Sequence, residues 1–409
     1  MDPSVVDRRG RAWAASGAMV LTGRAAGPPL GAPAALIDLI ERAVAVLHRH
    51  RRKGEALDGL ALLGERAALQ GLSRHGAVSC GGGTRLVPAR DGWMAVALAR
   101  PEDVAALPAW LGRDVTGEDP WPIVEEVAAA MPVAALDAQA ALLGLPVAAV
   151  GSVGPCSSCA FDLPVRAQRI GRDNRAALHP AEATIVDLSS LWAGPLCGQL
   201  LAETGARVIK VESTGRPDGA RRGSARFFDL LNGEKRSVAL DLASAAGRRD
   251  LGRLIAAADV VIESARPRAL EQMGIDSGDV LGQPGGPQVW VSITSHGREP
   301  GQRQRVGFGD VAAAAGGLVA DDAQGPCFLA DAVADPLTGL AAAAAVLEAL
   351  TAEGRWLIDA AMAPIAAAVV GPLIDVAGLA AHQPRARAAL CAGPELGADT
   401  AAVLGDLTV

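Results

Sequence analysis

One carboxylate in the chain, Asp335, lies in a sequence context that suits a catalytic acid. Asp335 lies in Phe328 to Leu350, FLADAVADPLTGLAAAAAVLEAL, where it precedes a block rich in Ala, Val and Leu that is typical of a buried helix. The helix dipole stabilises an ionised acid at the start of a helix. The same position suits an ordinary helix cap, and Asp before an apolar run is more often a cap than a catalyst. The residue alone therefore leaves both interpretations open.

Other sequence motifs give weaker evidence for a metal, redox, nucleotide or hydrolase site. Cys156 and Cys159 form a CxxC, which fits half of a metal site or a redox pair, but no second CxxC or CxxH accompanies it. A zinc site is therefore not favoured. The segment Asp187 to Ser213 has Gly194-Pro195 where a dinucleotide-binding turn would have GxGxxG. A P-loop, a GxSxG elbow and an HExxH pair are also absent, which excludes several common enzyme classes.

The charge and composition limit the kinds of partner. The chain has 409 residues, 50% of them hydrophobic, with a net charge of -7 and a pI near 5.5. Nucleic-acid-binding domains carry a basic patch or stripe, and none is evident, so we expect no nucleic-acid partner. The first residues, MDPSVVDRRGRAW, contain no apolar segment of the signal-peptide kind. We expect a cytoplasmic protein with no membrane partner.

The second half of the chain must position Asp335, and its pattern is regular. Apolar runs alternate with helical patterns, which predicts a parallel sheet covered by helices on both faces. The predicted strands are residues 183–189, 206–213, 236–242, 258–264 and 288–294, and the helices are residues 195–204, 244–257 and 268–273. The fold class is therefore α/β, with a doubly wound, Rossmann-like sheet that binds ligands at the carboxyl ends of its strands.

The first half of the chain has a different pattern. A helix is predicted from Ala34 to about His50, and residues 84–98 predict two strands joined by a turn at Asp91-Gly92. A helix from Pro101 to Leu111, further helices and the extended Leu145 to Ser152 follow. We expect a smaller α+β domain here, with residues 1–178 as one unit and residues 179–409 as the Rossmann-like unit.

The two halves share a segment. The sequence from Gly316 echoes the sequence from Ser16 at a spacing of about 300 residues, with Gly317 matching Gly17. Asp335 then faces Ala35, so only one copy carries the acid. A chance match between Ala-rich helices is the alternative. If the repeat is real, residues 1–178 are a partial first copy.

The second half resembles a known family in successive blocks. The blocks are VDLSSLWAGPLCGQLLAETGARVIKVES (186–213), NGEKRSVALDL (232–242), ADVVIESARPRALEQMGID (258–276), VWVSITSHG (289–297) and RWLIDAAM (355–362). In order and spacing they resemble the family III CoA-transferases, the CaiB/BaiF family. The segment GPELGADTAAVL (393–404) resembles the family's C-terminal tail, and DGW and LPVAAVGS resemble its small domain. Because the small-domain material precedes the Rossmann part here, the chain resembles a permuted or rearranged member.

The resemblance implies an activity and a set of site residues. Asp335, in VADPLTGL, matches the family's catalytic aspartate, which attacks an acyl-CoA thioester and passes through an anhydride and an aspartyl-CoA thioester. Coenzyme A and acyl-CoA are then substrates, with no permanently bound cofactor and no metal. The CoA-binding positions that the resemblance implies, with Arg305 added as a candidate for the CoA phosphates, are Trp192, Ala193, Leu240, Asp241, Leu242, Ser264, Ala265, Arg266 and Arg305.

Several of these positions depart from the formyl-CoA branch of the family. Ser264 stands in place of an Asn, Gln272 in place of an Arg that binds a CoA phosphate, and Trp192 in place of a Gln beside the reacting carbonyl. These changes leave the acyl group undefined. The resemblance further implies a homodimer, since family members form interlocked dimers.

Two other functions stay open. The family's α-methylacyl-CoA racemases exchange a proton between an Asp and a His, but Gly309 stands where that His would be and His296 is some thirteen residues away. The other is a non-catalytic subunit that keeps the CoA-binding fold and depends on a partner.

Overall fold

The computed structural model describes residues 3–50, 56–115, 117, 119–171, 175–265 and 267–407. Its strands are β1 (Thr84–Ala89), β2 (Gly92–Ala97), β3 (Val147–Ala149), β4 (Arg166–Ile170), β5 (Thr184–Asp187), β6 (Arg207–Ser213), β7 (Arg236–Leu240), β8 (Val260–Glu263), β9 (Val289–Thr294), β10 (Ala320–Asp322), β11 (Gly325–Cys327) and β12 (Arg355–Ala361). Its helices are α1 (Pro3–Ala15), α2 (Ala34–His50), α3 (Glu65–Gln70), α4 (Pro101–Ala105), α5 (Leu107–Leu111), α6 (Trp121–Ala130), α7 (Val133–Leu143), α8 (Ala193–Ala202), α9 (Ala225–Asn232), α10 (Ala245–Ala257), α11 (Pro267–Glu271), α12 (Ser277–Gly282), α13 (Gly309–Ala315), α14 (Ala334–Thr351), α15 (Met362–Ala367) and α16 (Thr400–Asp406).

A seven-stranded sheet lies at the centre of the second half of the chain. Its strands have the order β4-β12-β9-β8-β5-β6-β7, and β4 is antiparallel to β12 while the others are parallel. Numbered along the chain, the parallel strands have the order 3-2-1-4-5-6 of a doubly wound Rossmann sheet. The predicted α/β fold class is confirmed. The order reverses between β5 and β8, where such folds bind ligands.

Both faces of this sheet are buried, because successive side chains of each strand point to opposite faces. In β8, Val260 and Ile262 pack on the side of α8 and α14, whereas Val261 packs on the side of α10. The strands are therefore apolar almost throughout, as the sequence indicated.

The predicted strands of this sheet are all present, with ends that differ from the prediction by at most two residues. Two strands of the sheet were not predicted. β12 was recognised only as a family block, and β4, with the sequence RAQRI, is a half-exposed edge strand without an apolar pattern. Edge strands carry little hydrophobic signal because one side of them faces solvent.

The smaller sheet has the order β1-β2-β3 and is antiparallel. The predicted hairpin is confirmed, but its turn is Arg90-Asp91, and Gly92 already pairs with Ala89. The single helix predicted from Pro101 to Leu111 is wrong, since α4 ends at Ala105 and α5 begins at Leu107. Pro108 explains the break, because proline lacks an N–H and its ring clashes with the carbonyl four residues earlier.

The two predicted units are in contact. β4, which precedes residue 179, pairs with β12, and α2 packs against α14. Residues from before the predicted boundary thus complete the large sheet and cover its central helix. The division at residues 178 and 179 stays a prediction.

The repeated segments share two helices but differ in the connection between them, which is a short 3-10 helix (Met19–Leu21) in the first segment and the strands β10 and β11 in the second. α2 begins at Ala34 and α14 at Ala334, and each follows a helix that ends in a glycine turn, with Gly17 at φ 86° and Gly317 at φ 80°. The helix positions and the glycine turn therefore recur in the structure, whereas the connection does not. Among the described residues, α14 is the helix that is long and apolar enough to cross a membrane, and 83% of it is buried inside the protein.

Candidate active site

Asp335 is the second residue of α14, and it is not the helix cap. The N-cap position is Val333, which makes no side-chain capping bond. The Asp335 carboxylate turns to another helix instead, and its Oδ2 accepts a hydrogen bond of 3.1 Å from the backbone N–H of Gly309, at the start of α13. The capping interpretation is therefore wrong.

The surroundings of Asp335 change its acidity. Burial raises the pKa of Asp335 to about 6, opposed by the positive charge of Arg66 and the hydrogen bond from Gly309, while the charge of Asp331 raises the pKa further. At neutral pH the side chain is thus mainly a carboxylate, and it is half-buried rather than fully solvated. Such a group is a better nucleophile than a solvated acid.

Arg66, Asp331 and Asp310 surround Asp335, and none of them was predicted as a site residue. Arg66 bonds Asp331 through Nε at 2.9 Å and Nη2 at 2.5 Å. Burial and the neighbouring charges of Asp331 and Asp335 raise the pKa of Asp310 to about 7, against the opposing effect of Arg66. Asp331 and Asp310 lie near Asp335 in the sequence, but Arg66 is 265 residues from Asp331 and has no local signal.

The backbone before Asp335 is strained. Ala330 and Ala332 have φ of 52° and 45°, a left-handed conformation that costs a residue with a Cβ on the order of 1–3 kcal/mol. The carbonyl of Ala332 accepts the N–H of Asp335 at 2.9 Å. Strained residues of this kind cluster at functional sites, where surrounding contacts hold them.

The N-terminus of α8 lies beside the first turns of α14. A Cβ on Gly339 would lie 2.6 Å from the carbonyl oxygen of Ala193, so the two helices touch through backbone, one helical turn after Asp335. Trp192 precedes α8, is 3% exposed and packs edge-on against Phe227 at 5.1 Å. The structure therefore brings Trp192 and Ala193 to the α14 side of the sheet, at the end of β5.

The other predicted CoA-binding residues lie at the carboxyl ends of β7 and β8. Ser264 follows β8, and its Oγ accepts the N–H of Ser190, which follows β5, at 3.0 Å. Leu240 ends β7, and the exposed Asp241 accepts the N–H of Ala243 at 3.1 Å. Leu242 and Ala265 are half-buried beside them. Arg266 lies outside the described residues.

Arg305 has a different location. Its guanidinium bonds Asp137 of α7 at 2.9 and 2.5 Å, and it reaches the carbonyl of Val147 at 3.2 Å. Arg305 therefore joins the loop before α13 to the smaller sheet and its helices. Its assignment to the CoA phosphates stays a prediction.

Comparison with known proteins identifies the family of this chain. The family model of CoA-transferase family III matches residues 181–391, just over half of the chain. The chain belongs to CoA-transferase family III. The resemblance found in the sequence is therefore confirmed.

Several relatives of this family III chain are characterised by name. An acyl-CoA transferase of Fusarium pseudograminearum is 34% identical over 208 residues, covering 44% of this chain and 45% of the relative. The succinyl-CoA–D-citramalate CoA-transferase of Chloroflexus aurantiacus is 32% identical over 145 residues, covering 34% and 36%. A CaiB/BaiF family protein from Brucella suis is a similar solved structure, at 28% identity and a TM-score of 0.42, covering 47% of this chain and 55% of that one. The family III chain spans less than half the length of these two curated relatives.

Gly309 separates this family III chain from the racemase pattern. A Cβ at Gly309 would lie 2.5 Å from the carbonyl oxygen of Ala332 and 2.9 Å from Cγ of Asp335, and closer still to Oδ2. No side chain fits there, so an imidazole has no room at this position. His296 is buried elsewhere, with Nδ1 2.9 Å from Oγ of Ser295, and burial lowers its pKa to about 4.

Buried ion pairs support the β5 end of the site in this family III fold. Lys235 bonds Asp187 at 2.8 Å and Lys210 bonds Asp218 at 2.8 Å, with all four side chains fully buried. Burial disfavours the charged form of Asp187, but Lys235 and Lys210 outweigh this and lower its pKa. Burial lowers the pKa of Lys235. The pairs fix the turn between β5 and α8 that carries Trp192.

Cys156 and Cys159 are free thiols in the loop before β4. Over the described part of the chain, no group of three or more His, Cys, Asp or Glu side chains is placed to hold a metal ion.

Proposed function

We propose that this protein is a CoA-transferase that moves CoA from an acyl-CoA thioester to a carboxylic acid, with Asp335 as the nucleophile. The observation that carries the proposal is a desolvated carboxylate at the start of α14, with its Oδ2 held by the N–H of Gly309. Membership of CoA-transferase family III supports the reaction class. Relatives named as CoA-transferases support the same class.

In the first half of the proposed reaction, an oxygen of Asp335 attacks the thioester carbonyl. The C–S bond breaks, CoA leaves as a thiolate, and an aspartyl–acyl anhydride remains. The thiolate then attacks the aspartyl carbonyl, which forms an aspartyl-CoA thioester and releases the donor acid as a carboxylate. No proton is gained or lost, because a carboxylate enters and a carboxylate leaves.

The second half reverses these steps with a new acid. The acceptor carboxylate attacks the aspartyl-CoA thioester, so that the thiolate leaves and a second anhydride forms. The thiolate attacks the acyl carbonyl of this anhydride, giving the new acyl-CoA and free Asp335. The nucleophile is thus regenerated, and no cofactor is consumed.

The backbone of Gly309 has a defined part in this sequence. When the thiolate attacks the aspartyl carbonyl, negative charge develops on an oxygen of Asp335, and the N–H of Gly309 already points at Oδ2 of that group. A preorganised N–H donor at such an oxygen is worth roughly 10²–10³ in rate.

We place CoA along the carboxyl ends of β5, β7 and β8. Trp192 and Ala193 lie on the Asp335 side of this edge, and Ser264 joins the β5 and β8 loops. The phosphates require positive charge, and Arg222 offers it beside the exposed Leu191, which follows β5. Arg222 is therefore our candidate for phosphate contact, since the guanidinium of Arg305 is already paired with Asp137.

The experiment is a transfer assay with a panel of acyl-CoA donors and carboxylic acids, together with intact-mass analysis of the protein. We expect CoA exchange in the wild type, an adduct on Asp335, and loss of both in Asp335→Ala. Asp38→Asn is a matched control, because Asp38 is an acid of α2 that pairs with Arg9 in the N-terminal copy. It should keep the exchange and the adduct.

Three outcomes would contradict the proposal. Exchange that survives in Asp335→Ala excludes Asp335 as the nucleophile. Proton–deuteron exchange at the α-carbon without CoA transfer indicates a racemase. Absence of exchange with every donor, together with no CoA binding by calorimetry, indicates a non-catalytic subunit.

A further inference from the structure

The N-terminal part of the chain, which lies before the family match, holds the strained turn that precedes Asp335. Oγ1 of Thr22 accepts the N–H of Ala330 at 3.0 Å, and the thiol of Cys80 donates to the carbonyl of Ala330 at 3.5 Å. The N–H of Phe328 bonds the carbonyl of Gly76 at 2.9 Å. These contacts keep the left-handed backbone of the turn in place.

Arg66 makes a charged contact between the N-terminal part of the chain and the turn before Asp335. It holds both carboxylate oxygens of Asp331, in the parallel two-bond geometry that is the strongest for arginine and a carboxylate. The Asp331 side chain is fully buried, and that of Arg66 is 25% exposed. The guanidinium also lies 5.1 Å over the ring of Trp192. Arg66 thus contacts both the turn before α14, through Asp331, and the turn before α8, through Trp192.

A second set of ion pairs fixes the helix that carries Arg66. Glu65, the neighbouring residue of α3, is 1% exposed and bonds Nε of Arg387 at 2.7 Å. Arg387 also bonds Glu203, at the end of α8, at 2.8 Å. Arg387 therefore links α3 to the end of α8, the helix that begins beside Trp192. Arg66 therefore has little freedom to leave the site.

Arg66 also balances the charge of the site. The titratable groups that face Asp335 are Asp331 on the same segment, Asp310 on α13, and Arg66 on α3, with the Cys80 thiol beside Asp331 and Asp310. Burial raises the pKa of Cys80, so that thiol stays neutral. Among these groups Arg66 supplies the positive charge, and it opposes the effect of burial on both Asp335 and Asp310.

We propose that Arg66 is a positioning residue of the active site, supplied from outside the family match. It fixes Asp331 and the turn before α14, and it keeps Asp335 a carboxylate that is aimed at the thioester. The inference rests on the proposed transferase function. The N-terminal part of the chain then completes the site in the same chain that carries the nucleophile.

The test compares Arg66→Gln and Arg66→Lys with the wild type, and Arg175→Gln serves as the control. Arg175 is a similarly exposed arginine that pairs with Asp259 at the opposite end of the sheet. We expect the acidic limb of kcat/KM in Arg66→Gln to move up by about one pH unit, since a nearby cation shifts a carboxyl by ~1–3 units. We also expect a loss of roughly 10²-fold in kcat from the misplaced Asp335.

The lysine variant separates charge from geometry. Arg66→Lys should restore the position of the acidic limb, because the charge returns, but only part of kcat, because an ammonium does not make the two-bond contact. Arg175→Gln should change neither. A folded Arg66→Gln enzyme with the limb and kcat of the wild type would overturn the inference.

If the wild type transfers no CoA, the proposed function fails, but the role of Arg66 can still be tested by measuring stability. Without Arg66, a buried carboxylate is left unpaired, and this is most costly when it is ionised. The melting temperature of Arg66→Gln should therefore fall more at about pH 8 than at about pH 5, and Asp331→Asn in the same chain should recover it. An equal fall at both pH values, with no recovery, would show that Arg66 has no charge-positioning role.

Discussion

Gly309→Ala should inactivate the enzyme while leaving it folded. The added methyl would lie 2.5 Å from the carbonyl oxygen of Ala332 and 2.9 Å from Cγ of Asp335. An ordinary contact needs at least about 3.5 Å, so these atoms must separate by about 1 Å. The Asp335 side chain can move away, whereas the contact with the Ala332 carbonyl is relieved only by a shift of the backbone in a turn that is already strained, with Ala332 at φ 45°. A displacement of this size costs roughly 10²-fold in kcat, and overpacking costs about 1–3 kcal/mol of stability.

The assay is CoA transfer under saturating donor and acceptor, with the melting temperature measured on the same samples. Gly252→Ala is the matched control, because Gly252 lies within α10 and a Cβ there meets nothing within 4 Å. The control should keep full activity and gain up to about 1 kcal/mol from better helix propensity. A Gly309→Ala enzyme with kcat within about twofold of the wild type would refute the assigned role of the Gly309 contact.

Three further predictions concern charge. Asp335→Asn should abolish transfer and stabilise the fold by at most about 3 kcal/mol at pH 7, since folding raises the Asp335 pKa from 3.8 to about 6 and so opposes its ionisation. In urea unfolding, the gain in stability should appear as the pH rises through about 4 to 6 and be absent at lower pH. A gain in stability that does not depend on pH would contradict this prediction. Lys235→Met should cost about 3–5 kcal/mol by leaving the buried Asp187 unpaired, and Lys235→Met/Asp187→Leu should recover most of it in the same measurement. Arg305→Gln should lower the unfolding midpoint by removing the contact with Asp137 and leave CoA affinity within about twofold by calorimetry; a larger loss of affinity would assign Arg305 to the phosphates.

Some expectations from the sequence stay predictions. The homodimer and the cytoplasmic location rest on the resemblance and on composition, and the acyl donor and acceptor follow from neither. Within the chain, α2 packs on α14 as the matching helix of the repeat. An interlocked dimer would have to leave this contact in place.

The two copies of the repeat differ in their acidic residues. At an offset of 300 residues, Asp310, Asp331 and Asp335 match Gly10, Gly31 and Ala35, so the first copy lacks all three acids. The sequence comparison identified the missing acid at Ala35. The importance of the other two differences appears only with the structure, which places Asp310 and Asp331 near Asp335.

By itself the sequence determined the parallel sheet, the positions of five of its seven strands and the acid at the start of α14. Apolar runs and helical periods depend on which faces are buried, and that information is local to each element. The tertiary structure alone decided what the acid can do. The Arg66–Asp331 pair joins residues 265 positions apart, and the contact between Gly309 and Asp335 joins two helices. Burial and nearby charge set the pKa and aim of a carboxylate, and both arise from contacts between distant segments that no local pattern contains.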